Sequence, residues 1–178
     1  VRSAVTECFD DEHIVLIGMM GVGKSSVGRA LAAALHRPLL DTDTLVEQAA
    51  GRSVRDIWTV DGERAFRDLE AEIVAEVLAA EEPSVVAAAG GVVVRPENRA
   101  VLATSKAHVV WLCADVQVLL ARVRNGMHRP ALDDDPEGTL VQMFDARAPL
   151  YKEVADAIVS VDHRSVGDVT QAVLRCCA

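Results

Sequence analysis

Rings are scarce in this chain: three Phe, two Trp and one Tyr among 178 residues. A protein that grips single-stranded nucleic acid commonly stacks bases on aromatic faces, and this composition offers few. Positive charge is also in deficit, with 18 Lys and Arg against 27 Asp and Glu and a formal net charge of −9. DNA, RNA and anionic membranes are held through an excess of basic groups, so none of them is an expected partner. Long apolar runs are missing too. The longest, around Val85 to Val94, contains Gly90 and Gly91 and falls well short of the roughly 20 residues that a membrane-spanning helix needs. The first residues show no basic end followed by an apolar stretch; residues 1–12 read as a flexible N-terminus, and a cytoplasmic location is expected. The four cysteines, Cys8, Cys113, Cys176 and Cys177, have no metal-ligand spacing and are expected to be reduced thiols without a functional role.

What remains is an ordinary globular composition, 51% hydrophobic and 25% charged. Domains commonly use roughly 150 residues, so a single domain over 1–178 is expected. His13 to Gly18 is a short β-branched run, and Lys24 to about His36 carries Val27, Ala30, Leu31, Ala34 and Leu35 on one helical face. Pro38 to Asp41 reads as a second strand and Thr44 to Ala50 as a helix stopped by Gly51. Ser53 caps a further short helix, Val54 to Val60, and Asp61 opens a longer one ending before Pro83. Ser84 to Ala88 and His108 to Cys113 look like buried strands with a Pro96 to Ala103 helix between them. Asp115 to Arg124 is helical, Ala157 to Val161 a last strand and Val166 to Cys176 a closing helix. Asn125 to Gly138, at about 14 residues, is long for a connection and reads as a lid or binding loop. Alternating strands and helices predict an α/β fold: a parallel sheet covered on both faces, with ligands at the carboxyl ends of its strands.

The most specific motif lies between the first strand and helix. Gly18-Met19-Met20-Gly21-Val22-Gly23-Lys24-Ser25 matches G-x-x-x-x-G-K-[ST] in the strand–loop–helix context that the phosphate-binding loop requires. Its glycines let successive N–H groups curl around an anion, the helix start adds positive potential, Lys24 can reach terminal phosphates and Ser25 can ligate Mg²⁺. Residues 18 to 25, with the following Ser26, are the candidate nucleotide-binding set. Such a loop specifies a nucleotide and no particular reaction. A motor or transporter ATPase generally needs more chain, which leaves a small kinase or a nucleotide-binding module.

Asp41-Thr42-Asp43 stands at the end of the second strand, where alternation turns both carboxylates away from Thr42. Two acids beside a phosphate loop suggest two tasks, one holding Mg²⁺ through water and the other orienting a substrate hydroxyl. Asp43 could also serve only as a helix cap. Further on come Gly62-Glu63, Phe66-Arg67 and Glu70, Gly90-Gly91, Arg129-Pro130, and Arg147-Ala148-Pro149-Leu150-Tyr151.

With these ordered motifs the sequence resembles the shikimate kinases, from the first strand to the last helix. The resemblance implies a three-layer P-loop kinase fold with a short parallel sheet and a mobile lid loop over 125–138. It implies transfer of the γ-phosphoryl group of ATP to the 3-hydroxyl of shikimate, with Mg²⁺, by a monomer whose partner is this small molecule. It places Asp41 near Mg²⁺ and Asp43 at the reacting hydroxyl, and makes Asp43, Lys24 and Arg129 the catalytic residues. The family's F-R-x-x-E falls on Phe66 to Glu70, so that Arg67 is implied to hold the substrate carboxylate and Glu70 to orient it. Arg147 is the second implied carboxylate ligand, Gly90 and Gly91 border the substrate, Arg129 closes over the phosphates and Arg122 lies against the adenine. Trp58 and Phe66 match pocket-lining positions.

Two positions depart from the family pattern: Ala89 precedes Gly90-Gly91 where the family has a third glycine, and Ala131 replaces a leucine in the lid. Ala89 closes an apolar strand and is expected to keep a negative φ, so that its methyl carries no backbone strain. Two rival functions differ in what they require. A kinase for another hydroxylated acid or polyol, such as gluconate, would not need both Arg67 and Arg147. A non-catalytic nucleotide-binding module would have no use for Asp43.

Overall fold

The computed structural model describes residues 11–124 and 135–176. Its first strand, β1 (His13–Ile17), is buried at every position, and Ile14, Leu16 and Ile17 expose nothing. Burying each such side chain contributes about 1.5–3 kcal/mol, which makes this strand the natural centre of the sheet. The chain continues through α1 (Lys24–Leu35), β2 (Leu39–Asp41), α2 (Thr42–Ala50), α3 (Val54–Val60), α4 (Gly62–Ala79) and β3 (Val85–Ala87). It then forms α5 (Pro96–Thr104), β4 (Ala107–Cys113), α6 (Val116–Arg124), α7 (Pro136–Val154), β5 (Ala157–Ser160) and α8 (Val166–Arg175). Among the described residues the strands make one parallel five-stranded sheet in the order β2-β3-β1-β4-β5, with Val15 paired to Val86 on one side and Val109 on the other.

Alternation along the strands separates the two covering layers. Leu16 and Ala87 face Gly28 of α1, and α8 packs beside α1. Val15 and Val86 face the other way, meeting Val74, Val77 and Leu78 of α4 and Leu102 of α5. A smaller cluster of Val46, Ile57 and Phe66 holds α2 and α3 against α4. The strand order reverses at β1, between β3 and β4, and the crevice beyond the carboxyl end of β1 is where such sheets bind ligands.

Three expectations need correction. Helix α2 starts at Thr42 instead of Thr44, because the Asp41 side chain accepts from the Asp43 N–H and is the cap itself. The connection expected to run to Gly138 is shorter: Asp135 accepts from the Gly138 N–H, and Pro136 opens α7 at a position where a missing N–H costs nothing. Residues 139–154, assigned no element from sequence, belong to this long helix. Leu140, Phe144, Arg147, Tyr151 and Val154 recur at helical spacing, but an arginine interrupts the apolar stripe and Pro149 lies inside the helix, where it removes a backbone donor. The lid residues Arg129, Pro130 and Ala131, with residues 1–10, lie outside the described residues.

One buried polar contact joins the ends of several elements. His13 is 4% exposed; its Nδ1 accepts from the Ser84 N–H at 3.2 Å, which leaves the proton on Nε2 to be donated to the Ala80 carbonyl at 2.9 Å. The ring therefore ties β1 to the end of α4 and the entry of β3. His13→Ala should lower stability by about 1–3 kcal/mol, because it strips partners from buried backbone groups. Urea unfolding with an unchanged midpoint would disprove that role.

Candidate active site

The phosphate-binding loop leaves β1 and enters α1 through three glycines with positive φ: Gly18 at 137°, Gly21 at 78° and Gly23 at 101°. L side chains rarely adopt these values, and a Cβ on Gly18 would also lie 2.3 Å from the Leu112 carbonyl oxygen of β4. The loop can therefore take this shape only with glycine there. Lys24 folds back over it, donating from Nζ to the Gly18 carbonyl at 2.7 Å and the Met19 carbonyl at 3.1 Å. Met20, Gly21, Gly23, Lys24, Ser25 and Ser26 line a cleft of about 230 Å³ that they share with Asp41, Asp43 and Gly90. Met19 and Val22 are 2% exposed, so these two members of the nucleotide-binding set have only their backbone to offer, and the Val22 N–H is already directed at the Met19 carbonyl.

In the Asp41-Thr42-Asp43 segment the two carboxylates and the threonine part company as expected, although Thr42 and Asp43 already belong to α2 and not to a strand. Thr42 is 1% exposed and its Oγ1 accepts from the Ala89 N–H at 2.8 Å, which ties the end of β2 to the segment leaving β3. Both carboxylates consequently face the cleft. Ser25 Oγ donates to Asp41 Oδ2 at 2.8 Å, bringing the loop's hydroxyl and the strand-end carboxylate together. The cap of α2 is Asp41, and Asp43 lies in the helix's first turn.

The other candidate side chains converge on the Gly90–Gly91 turn. Arg67 of α4 is 7% exposed and donates from Nη1 to both oxygens of Glu70, at 3.0 and 2.9 Å; Glu70 exposes nothing. Helical positions three apart are neighbours, which is why the F-R-x-x-E spacing delivers this pair. Burial pushes the Glu70 carboxyl above its ordinary range, Arg67 opposes that shift, and the charges of Asp43 and Arg147 act on it in opposite directions. These four groups therefore share one electrostatic neighbourhood. A Cβ on Gly91 would sit 2.2 Å from Arg67 Nη1, so the guanidinium occupies space that only glycine leaves open. The Phe66 and Trp58 rings lie 5.2 and 5.6 Å from its central carbon, close enough for cation–π attraction. Phe66 is also core, 3% exposed against Ile57 and Val46.

Arg147 approaches the turn from α7, donating from Nη1 to the Gly90 carbonyl at 3.3 Å. Tyr151, one helical turn on and fully buried, donates its hydroxyl to the same carbonyl and stacks on Trp111 with centroids 5.6 Å apart. Burial pushes the phenol up to about 12, so the hydroxyl remains a donor near neutral pH. Tyr151 closes the Arg147-Ala148-Pro149-Leu150-Tyr151 motif. Its signal was the four-residue step from Arg147, which puts both on one helix face. Arg122 is exposed on α6, with its guanidinium 3.3 Å from the Val22 carbonyl on the outer rim of the phosphate loop. Ala89 has no positive φ; among the described residues only His36 and His163 do so without being glycine.

Residues 20–178 match the family model for shikimate kinase. A shikimate kinase of Symbiobacterium thermophilum is 45% identical over 165 residues, covering 91% of this chain and 94% of that protein. Among solved structures, a shikimate kinase from Acinetobacter baumannii in complex with shikimate superposes with a TM-score of 0.89 and 32% identity, over 96% of this chain and 95% of that one. A gluconokinase from Sinorhizobium meliloti reaches a TM-score of 0.59 at 22% identity, with 94% and 92% of the two chains covered, a likeness of fold alone. With its phosphate loop, sheet order and paired arginines in place, this chain belongs to the shikimate kinase family.

Proposed function

We propose that this chain transfers the γ-phosphoryl group of ATP to the 3-hydroxyl of shikimate, releasing ADP and shikimate 3-phosphate. The observation that carries the reading is the convergence of Arg67 and Arg147 on one turn, within electrostatic reach of Asp43, which itself lines the cleft of the phosphate loop. A small polyol bearing a carboxylate calls for arginine forks, a hydroxyl acceptor and a site that can be closed. A kinase for a neutral polyol, whose substrate carries no carboxylate, has no comparable need for both arginines. The working form is proposed to be a cytoplasmic monomer of one domain, with no nucleic acid or membrane partner. Among the described residues no helix is long and apolar enough to cross a membrane.

In this reading the loop amides from Gly18 to Ser26 cradle the ATP phosphates, and Lys24 leaves its carbonyl partners for the terminal phosphate oxygens. The donor chemistry fits Mg²⁺: a hydroxyl and a carboxylate, Ser25 and Asp41, are hard oxygens on the cleft wall. When bound, the ion would neutralise charge on the β- and γ-phosphates. Asp43 accepts a hydrogen bond from the attacking hydroxyl and takes its proton as the new P–O bond forms and the bond to the ADP oxygen breaks. Arg67, oriented by Glu70, and Arg147 hold the carboxylate beside the Gly90 and Gly91 amides. Arg129 is proposed to cover the phosphates and Arg122 to flank the adenine.

A coupled ADP-release assay with ATP and Mg²⁺ across shikimate, quinate, gluconate and nucleosides tests the reading, and shikimate should be clearly preferred. Lys24→Ala and Asp43→Asn should both fold yet nearly abolish turnover, with ATP binding weakened only in Lys24→Ala. Asp43→Asn retaining more than about a tenth of wild-type kcat would remove Asp43 from its role.

Arg67→Ala and Arg147→Ala should each cost about 10- to 150-fold in kcat/KM for shikimate, the equivalent of losing one charge-assisted hydrogen bond, while ATP affinity barely moves. Equal phosphorylation of an analogue lacking the carboxylate would refute the clamp.

Ala89→Gly should change kcat/KM for shikimate by less than about tenfold, since the methyl strains no backbone. A gain of about a hundredfold or more would mean that the methyl obstructs shikimate and that the natural acceptor is another molecule.

A further inference from the structure

We propose that Glu63 is an exchangeable internal ligand of Arg67: it occupies the guanidinium edge that the substrate carboxylate takes, and leaves when the substrate arrives. The inference rests on the reading of Arg67 as a carboxylate ligand.

A guanidinium presents two edges on which a carboxylate can sit as a fork, Nη1/Nη2 and Nε/Nη2. In Arg67 the first edge is closed. Nη1 is spent on Glu70, whose side chain exposes nothing, and both terminal nitrogens fill the space beside Gly91 where a side chain would stand, a Cβ there falling 2.2 Å from Nη1 and 2.4 Å from Nη2. The second edge is held by Glu63, one helical turn earlier. A single oxygen, Oε1, accepts from Nε at 3.4 Å and from Nη2 at 3.3 Å. These contacts are long, and the Glu63 side chain is 57% exposed.

The two acids therefore hold Arg67 in different ways. Glu70 is fixed and buried, and removing its charge from the pair would leave a buried cation uncompensated. Glu63 is solvated and can swing out at small cost, as exposed ion pairs separated by one helical turn do. A substrate carboxylate arriving at the Nε/Nη2 edge meets this like charge and must displace it. A ligand without a carboxylate has nothing with which to replace Glu63 and leaves it in place, so its affinity is indifferent to Glu63.

The test compares Glu63→Gln, Glu63→Asp, Arg67→Ala and the Glu63→Gln/Arg67→Ala double variant in steady-state kinetics, with shikimate affinity measured separately by calorimetry. Glu63 is on the surface, so its variants should fold, and unfolding midpoints check this. Glu63→Gln should lower KM and Kd for shikimate about two- to fivefold, with kcat and the KM for ATP unchanged. Glu63→Asp, charged but one methylene shorter, should behave like Glu63→Gln. In the Arg67→Ala background the Glu63 substitution should have no effect on shikimate, and Glu63→Gln should not change the affinity for an analogue lacking the carboxylate.

An unchanged or raised KM in Glu63→Gln would overturn the proposal by making Glu63 irrelevant or a positioning residue. Wild-type affinity in Glu63→Asp beside improved affinity in Glu63→Gln would also overturn it, assigning the effect to charge at a distance. Full shikimate affinity in Arg67→Ala would instead bring down the clamp on which the proposal rests.

Discussion

The acceptor side of this protein hangs on a turn with almost no side chains of its own. The Gly90 carbonyl receives Arg147 and Tyr151 from α7, Gly91 gives the space in which the Arg67 guanidinium lies, and the Ala89 N–H is held by Thr42 at the end of β2. The turn thus aligns both proposed carboxylate ligands and the carboxylate pair of the Asp41–Asp43 segment. A side chain at Gly91 would have to displace a buried cation paired with a buried anion, which is costly because each leaves the other uncompensated.

The sheet explains why the turn and the phosphate loop meet. Both follow strands that neighbour each other, β3 and β1, and both emerge at the carboxyl ends on the side where the strand order reverses. The sheet's hydrogen bonds, rather than flexible connections, set the separation between phosphoryl donor and acceptor. The Ser25–Asp41 contact makes a second bridge across the cleft, from α1 to the end of β2.

Local features of the sequence were legible where neighbours in the chain are also neighbours in space. β1, the glycine loop and α1 form one contiguous unit whose periodicity and motif agree, and Arg67 with Glu70 is a pair within one helix. The Ser53 cap was legible for the same reason. Legibility failed where a functional residue breaks the pattern used to find structure. Arg147 interrupts the inward stripe of α7 and Pro149 argues against a helix, so the element carrying the second arginine was not recognised although the motif was. It also failed for contacts between distant segments. Nothing local marks Thr42 as the tie to Ala89, or Asp41 in place of Asp43 as the cap of α2. The competition of Glu63 with a ligand needs the burial of Glu70 and the closeness of Gly91, both properties of the folded chain.

The distances along the chain that the turn closes have a consequence for how the molecule assembles. Ala89 and Thr42 are 47 residues apart, Gly90 and Arg147 57, and Gly90 and Tyr151 61. Contacts of such separation form only after long loops have closed and their entropy has been lost, whereas the phosphate loop's own contacts, Lys24 to the Gly18 and Met19 carbonyls and Val22 to the Met19 carbonyl, are local. The internal contacts of the phosphate loop can therefore form before those of the acceptor side, which wait for α7, far along the sequence. During that interval the nascent protein has its phosphate loop and Arg67 but lacks Arg147, the second of the two proposed carboxylate ligands.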